Sequence, residues 1–335
     1  MSKIGISILH NKNVKLTINC LKSLQRQTYK DFLIYLLIQG SSREDEITLT
    51  NLYSKWDNLI IDTAAENKGF AEGNNINIRK ILTDKNIKYI LTLNNDIIVQ
   101  ENFLKNLINH AEQTNSDMIQ ATMLKMDKPN EIDSLGIEFM MSGITFNIKS
   151  HDKILFCPSA GAALYSRKLL EQTKEEKQIS IGFESRIIYD YFDSSFFAYA
   201  EDFDLGFRAR LFGFSASLAN DAICWHKGSA TTGVMSDFAV YHTYRNLIFT
   251  LYKNLPTKLW WQYSLLILMG QAIIKINSIK RHQLKVYISA IYNALKDLKK
   301  YKNKRFYIQS KKIADIRPFI TKKIIDSDYL TQKNL

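Results

Sequence analysis

An α/β protein with a mostly parallel sheet, followed by a basic helical extension, is the fold this sequence predicts. Three observations carry that expectation. Short apolar runs at residues 4–9, 32–38, 59–61 and 89–93 alternate with segments of helical periodicity. Strands alternating with helices imply right-handed crossovers and a sheet covered on both faces. The charge is confined as well: from Pro256 onward there are 17 Lys/Arg against 4 Asp/Glu, a net +13, while residues 1–255 come to −1.

The 335 residues and 46% hydrophobic content allow a sizeable core and exclude a disordered chain. Cys20, Cys157 and Cys224 are scattered without metal-type spacing and read as reduced core residues of a cytosolic protein. The apolar stretch at 4–9 is too short for the core of a signal peptide and reads as a first strand. The division expected is a catalytic domain over 1–255, with a nucleotide-binding half at about 1–100 and a second half at about 101–255. Residues 256–335 form the basic amphipathic extension.

In order, strand 4–9 ends at His10-Asn11, and Val14, Ile18, Leu21 and Leu24 mark a helix. Strand 32–38 stops at Gln39-Gly40. A helical segment at about 47–56 leads to strand 59–61, and a glycine-bearing loop at 67–75 enters a helix through residue 82. Strand 89–93 follows. Past a helix at 102–114 and a strand at 118–121 the regularity falls, with hairpins and loops expected over 127–158. Residues 196–200, Phe-Phe-Ala-Tyr-Ala, read as an aromatic strand before a helix that begins at Glu201. A short strand ends at His226.

Strand 89–93 runs into Asn94, Asn95 and Asp96, at the carboxyl edge of an open sheet, where ligands bind. Oxygen ligands there suit a hard cation bridging phosphates, and equally a plain polar turn. Glu201 and Asp202 read as helix-capping acids or as reactive carboxylates, with Asp204 the purer cap. His226 is either a satisfied structural histidine or a metal ligand. The small residues around Gly161 let backbone approach a ligand, or pack tightly.

Taken together, these pieces resemble glycosyltransferase family 2, and within it the rhamnosyltransferase-like branch of bacterial surface-polysaccharide enzymes. Residues 20–29 are similar to a CLxSLxxQxY helix and residues 67–75 to an NxGFAxGNN loop. Leu93-Asn94-Asn95-Asp96 resembles the LNxD form of a metal motif, and residues 197–208 resemble FxYxEDxDLxxR. Trp225-His226-x-x-Ser229 and Tyr244-Arg245-Asn246 complete the series, which runs from about residue 3 to 255.

The resemblance implies a GT-A fold (the Rossmann-like nucleotide-diphospho-sugar transferase architecture) and inverting transfer from a nucleotide-sugar donor with Mg2+ or Mn2+. It implies Asp202 as catalytic base, Glu201 orienting the acceptor or the helix start, and Asp96 and His226 as metal ligands. His10, Asn11, Gln39, Asn67, Gly69, Asn74, Asn75, Asn94, Asn95, Asp96, Gly161 and Arg245 are the donor-binding candidates. Arg245 reads either as a diphosphate partner or as a structural arginine. Gln39 stands where the family carries an Asp that accepts from a pyrimidine, and its amide oxygen is able to accept the same bond. The donor expected is dTDP-rhamnose, with UDP-hexose or UDP-N-acetylhexosamine as alternatives, and the acceptor a lipid-linked surface glycan.

The rivals are a nucleotidyltransferase, whose glycine-rich first loop residues 10–13 lack, and a non-catalytic sugar-binding scaffold. In the extension, residues 260–276 are apolar and 284–298 amphipathic. They read either as a hairpin packing on the catalytic domain or another subunit, including a homo-oligomer, or as a contact with an anionic membrane surface. The membrane reading puts the protein in the cytoplasm, peripheral on the inner face of the cell membrane. No nucleic-acid motif accompanies the lysines, so nucleic acid is not an expected partner.

Overall fold

The structure, a computed structural model, describes residues 3–181, 184–228 and 236–325. The first half alternates β1 (Lys3–His10), α1 (Val14–Gln25), β2 (Phe32–Gln39), α2 (Arg43–Tyr53), β3 (Leu59–Ala64), α3 (Gly69–Ile81) and β4 (Ile87–Leu93). Then come β5 (Ile97–Val99), α4 (Phe103–Thr114), β6 (Met118–Lys125), β7 (Ile132–Ser134), β8 (Ile137–Met140), β9 (Thr145–Asn147), β10 (Ala162–Ser166) and α5 (Arg167–Thr173). A hairpin of β11 (Glu175–Ile181) and β12 (Glu184–Asp190) precedes α6 (Glu201–Leu211) and β13 (Ala216–His226). The chain closes with α7 (Asp237–Asn254), α8 (Thr257–Lys280), α9 (Leu284–Asp297), α10 (Lys302–Gln309) and β14 (Ile320–Thr321).

The main sheet runs in the order β3-β2-β1-β4-β10-β6-β13-β5, with β7 on β6. The first four strands are parallel, as the sequence predicts, and β10 is antiparallel to both its neighbours. Strand order reverses at β1 between β2 and β4, which opens a crevice at the carboxyl ends of the strands. Alternation along the strands divides the core. Ile4, Ile6 and Ile8 of β1 and Ile34, Leu36 and Ile38 of β2 pack with Leu21 and Leu24 of α1 and Leu104 and Leu107 of α4. On the other face, Tyr35 and Ile90 meet Ile78 and Ile81 of α3, and that layer continues through Phe203 and Phe207 of α6 to Leu251 of α7 and Ile267 of α8.

Two expectations are corrected. Residues 196–200 are not a strand: Ser194–Phe196 form a 3-10 turn, and Phe197, Tyr199 and Ala200 hold φ of 66°, 68° and 63°. The aromatics that suggested a strand instead fill the space beside this turn. The strand before His226 is longer than expected, eleven residues, with a bulge between Ala219 and Ile223.

Candidate active site

Sheet register brings one corner of the site together. In the β5–β13 pairing His226 lies opposite Ile97, which sets it beside Asp96, and Lys227 N donates to Asp96 O at 3.0 Å. In the β6–β13 pairing His226 lies opposite Lys125, while β7 folds back on β6 and delivers Asp133. His226 Nε2 is thus 3.3 Å from Asp96 Oδ1, and Nδ1 is 2.7 Å from Asp133 Oδ2. Burial alone would lower the imidazole pKa, but hydrogen bonds to Asp133 and Asp96 outweigh it and raise it to about 9. A carboxylate oxygen and a ring nitrogen converging, with the other ring nitrogen held by a second carboxylate, is a donor set that fits a divalent cation. Asp133 lies within the stretch expected to be hairpins and loops and was no candidate in the sequence. Only the hairpin register of β6 and β7 reveals it.

The second corner is built by α6. Ala200, itself left-handed, occupies the cap position, so neither Glu201 nor Asp202 is the capping residue. Asp202 Oδ1 accepts from Phe203 N at 2.8 Å, and Oδ2 accepts from Ala160 N at 3.1 Å. Asp202 keeps a partly exposed edge, whereas Glu201 is buried and its Oε2 has no hydrogen-bond partner. Burial and the neighbouring Asp202 push the Glu201 carboxyl well above the ordinary range. Burial also raises Asp202, against the backbone amides of Ala160 and Phe203. Both carboxyls are thus raised, Glu201 with Oε2 unpartnered and Asp202 with two backbone amides to hold its oxygens.

Residues 159–161 bridge the two corners. Gly161 O accepts from Asn94 N at 2.9 Å, and Ala160 N reaches Asp202. The turn before α6 is held by Asn246 of α7, whose Nδ2 donates to the carbonyls of Phe196, Ala198 and Tyr199 at 3.0, 2.9 and 2.7 Å. Arg245 is turned onto the same backbone, Nη2 donating to Phe196 O at 3.0 Å. These contacts, through Nε and Nη2, give Arg245 a structural role in holding the turn. Ser229 of the late motif lies outside the described residues.

Several of the donor-binding candidates have hydrogen-bond partners within the protein, as a buried amide or imidazole must. Asn74 Oδ1 accepts from Ser7 Oγ at 2.7 Å and its Nδ2 donates to Phe70 O. Asn75 Oδ1 accepts from Tyr191 N and Phe192 N, and its Nδ2 donates to Phe192 O. Both pin α3 to its neighbours. His10 is fully buried, its ring nitrogens on Thr17 Oγ1 and on Ser41 Oγ and Asp45 Oδ2, and burial lowers its pKa. Gln39 holds the 67–69 loop, accepting from Lys68 N and donating to Gly69 O. Gly69, at φ +75°, faces Phe197 rather than open space: a Cβ there would lie 2.4 Å from Phe197 O, which also accepts from Ala71 N.

Asn11 donates to Gln39 O at 2.7 Å, and Asn67 Oδ1 caps the loop by accepting from Gly69 N. Asn95 Nδ2 donates to Thr17 Oγ1. Asn94 and Asp96 remain at the crevice, with Gly161 alongside, where a Cβ would come 3.4 Å from Asn94 Nδ2.

Behind α6, Glu175, Asp193 and Asp204 lie close enough together to hold an ion. Lys253 Nζ already sits among them, 2.9, 2.9 and 2.8 Å from one oxygen of each, and Lys304 and Arg208 add two further cations. Asp204, expected to cap the helix, is thus the centre of a buried ion-pair node in which lysine does a metal's work.

The sequence model of glycosyl transferase family 2 matches residues 6–173. No curated protein matches the chain significantly. Among solved structures, S. aureus TarS aligns with a TM-score of 0.53 and 13% identity over 86% of this chain, which spans 54% of the TarS chain. The TarS fragment 1–349 aligns at 0.52 and 13%, covering 86% of this chain and 90% of the fragment. The mannosyltransferase PcManGT from Pyrobaculum calidifontis, solved with GDP-Man and Mn2+, aligns at 0.53 and 13%, covering 91% and 83%. The fold is that of these GT-A enzymes, and the chain belongs to glycosyl transferase family 2.

Proposed function

We propose that this glycosyltransferase inverts the anomeric centre of a nucleotide-diphosphate sugar and transfers it to a hydroxyl of a lipid-linked bacterial surface glycan. By the branch its motifs resemble, the donor is dTDP-L-rhamnose; UDP-hexose and UDP-N-acetylhexosamine are the alternatives. One observation carries the reading: residues 160–161 tie Asn94, two residues from the Asp96–His226–Asp133 corner, to the Asp202 carboxylate.

A divalent cation held by Asp96 and His226 would supply charge compensation to the departing diphosphate. Asp202 takes the proton of the attacking hydroxyl as the acceptor oxygen bonds to C1 and the C1–phosphate oxygen bond breaks. Asp202, whose oxygens are held by the Ala160 and Phe203 amides, is the better placed of the two acids to act as base. Next to the turn, Phe238 stands with its ring centroid 4.4 Å from that of His242 and about 6 Å from those of Phe197 and Tyr199. Phe238 is 39% exposed and offers an acceptor sugar ring a stacking face.

A thermal-shift series across nucleoside diphosphates and their sugars, with Mn2+ or Mg2+, tests the donor. Stabilisation by dTDP-rhamnose above the uridine and guanosine sugars is the expected result. A stronger response to a UDP sugar replaces rhamnose, and no response to any nucleotide sugar overturns the reading. Asp202→Asn should lower turnover by about 10²–10⁴-fold while the donor shift persists; wild-type turnover removes Asp202 as the base.

A further inference from the structure

Helix α8 is apolar on two opposite faces, and only one of them is covered. At about 100° per residue, Leu259, Ile267, Gly270, Ile274 and Ser278 share the face turned inward. The helix lies so close that a Cβ on Gly270 would come 2.2 Å from Ser142 O. On the other side Trp261, Leu265, Leu268, Ile276 and Ile279 fall within an arc of about 100°, and the first three are 75%, 68% and 67% exposed. The stripe continues on α9 through Ile288, Tyr292 and Leu295, all exposed and at four-and-three spacing. Exposed lysines rim it: Lys258, Lys275, Lys280, Lys285 and Lys296.

By length and composition α8 is apolar enough to cross a membrane. Its inner face, however, is committed to the protein, and Tyr287 Oη of α9 hydrogen-bonds Gln271. A helix held along one side has its other side free to lie in a surface.

We propose that the outer face of α8 and α9 is a monotopic docking surface for an anionic lipid bilayer, with apolar side chains in the acyl boundary and the lysines at phosphate headgroups. Charge complementarity selects the occupant. A second copy meeting this face would set the same five exposed lysines, Lys258, Lys275, Lys280, Lys285 and Lys296, against one another. An anionic leaflet neutralises the lysine rim and covers the stripe at once. The lipid-linked acceptor of the proposed reaction would share that surface, but the docking does not depend on which sugar is moved.

The test uses full-length protein, because the extension is built into the fold: Ala314 N donates to Leu211 O, and β14 pairs with β8. Flotation is measured with phosphatidylcholine vesicles, with and without phosphatidylglycerol, for the wild type and for Trp261→Gln/Leu265→Gln/Leu268→Gln. All three substitutions are on the solvent side, and retained thermal unfolding checks the fold. The expected result is binding only to the anionic vesicles, weakened by added salt, with a partition coefficient at least about tenfold lower in the triple variant. Absence of binding to anionic vesicles overturns the proposal. So does binding unchanged in the triple variant, or a concentration-dependent dimer that the triple variant abolishes without any vesicle binding. Donor binding, read by thermal shift, stays intact in the variant, so failure of docking and failure of the glycosyl-transfer reading are separable.

Discussion

Asn246→Ala removes one side chain and unfastens the turn that aims Asp202. Its amide group shares two hydrogens among the carbonyls of Phe196, Ala198 and Tyr199, and its Oδ1 accepts from Arg245 Nε at 2.9 Å. Hydrogen bonds of this kind contribute about 1 kcal/mol each, and a buried carbonyl left without a donor costs about 1–3 kcal/mol. Three non-glycine residues in this turn at positive φ, 66°, 68° and 63°, hold strain of about 1–3 kcal/mol apiece. Part of that strain is released when the turn relaxes, so the expected net loss of stability is about 2–3 kcal/mol. The relaxation falls on the residues that lead into Glu201 and Asp202. A displacement of ~1 Å there should lower kcat about 100-fold, with the donor-induced thermal shift unchanged. Urea unfolding and steady-state turnover read the two effects. A variant within about 0.5 kcal/mol and twofold of wild type in both would refute the idea that Asn246 holds the catalytic geometry.

Four further outcomes follow from the same geometry. Glu201 and Asp202 both bind protons more tightly folded than unfolded, so stability falls as pH rises from the ordinary carboxylate range through their raised values. Glu201→Gln should therefore raise stability at neutral pH and flatten its pH dependence in urea unfolding; a less stable variant at pH ~7 would contradict this. Asp133→Asn should weaken Mn2+ binding about 10–100-fold by calorimetry. In the metal-free protein the His226 imidazolium stabilises fully below about 6.5, and that contribution is lost as pH rises through about 9. Wild-type metal affinity should accordingly climb over that interval with release of a proton, and a pH-independent affinity would argue against His226 as ligand. Lys253→Met should cost about 3–5 kcal/mol by leaving Glu175, Asp193 and Asp204 under-neutralised. Added Mg2+ should not restore it, and recovery with Mg2+ would show that those carboxylates hold a metal.

The parallel half of the sheet was legible because fully covered strands are written as β-branched runs, and Asp96 because it ends one of them. The internal partners of the asparagines after Gly73 are something that sequence does not carry. Amides in a glycine-bearing loop look like ligand groups, yet those of α3 also bond Ser7 Oγ, Tyr35 O and Phe192 O of other segments. Asp133 and Lys253 were invisible for the opposite reason. Each acts across a long separation in sequence, His226 in one case and Asp193 in the other, and no local period records such a pairing. Phe197 and Tyr199 resembled strand residues because aromatics favour strands, but the carbonyls gathered by Asn246 require a left-handed turn.

Lys304 on α10 and Lys253 on α7 grip the same two acids, Glu175 and Asp193, and Lys253 also grips Asp204 on the helix that carries Asp202. The extension is consequently a fixed strut, not a tethered appendage. Any surface on which α8 and α9 rest then sets the height and tilt of the Asp202 carboxylate above it. In that sense the node would be a ruler under the proposed docking: for a lipid-linked acceptor, it would set how far a sugar hydroxyl must stand from the plane of the lipid to be reached. Acceptors that are too short or too long would be rejected by distance, without a single contact to their chemistry.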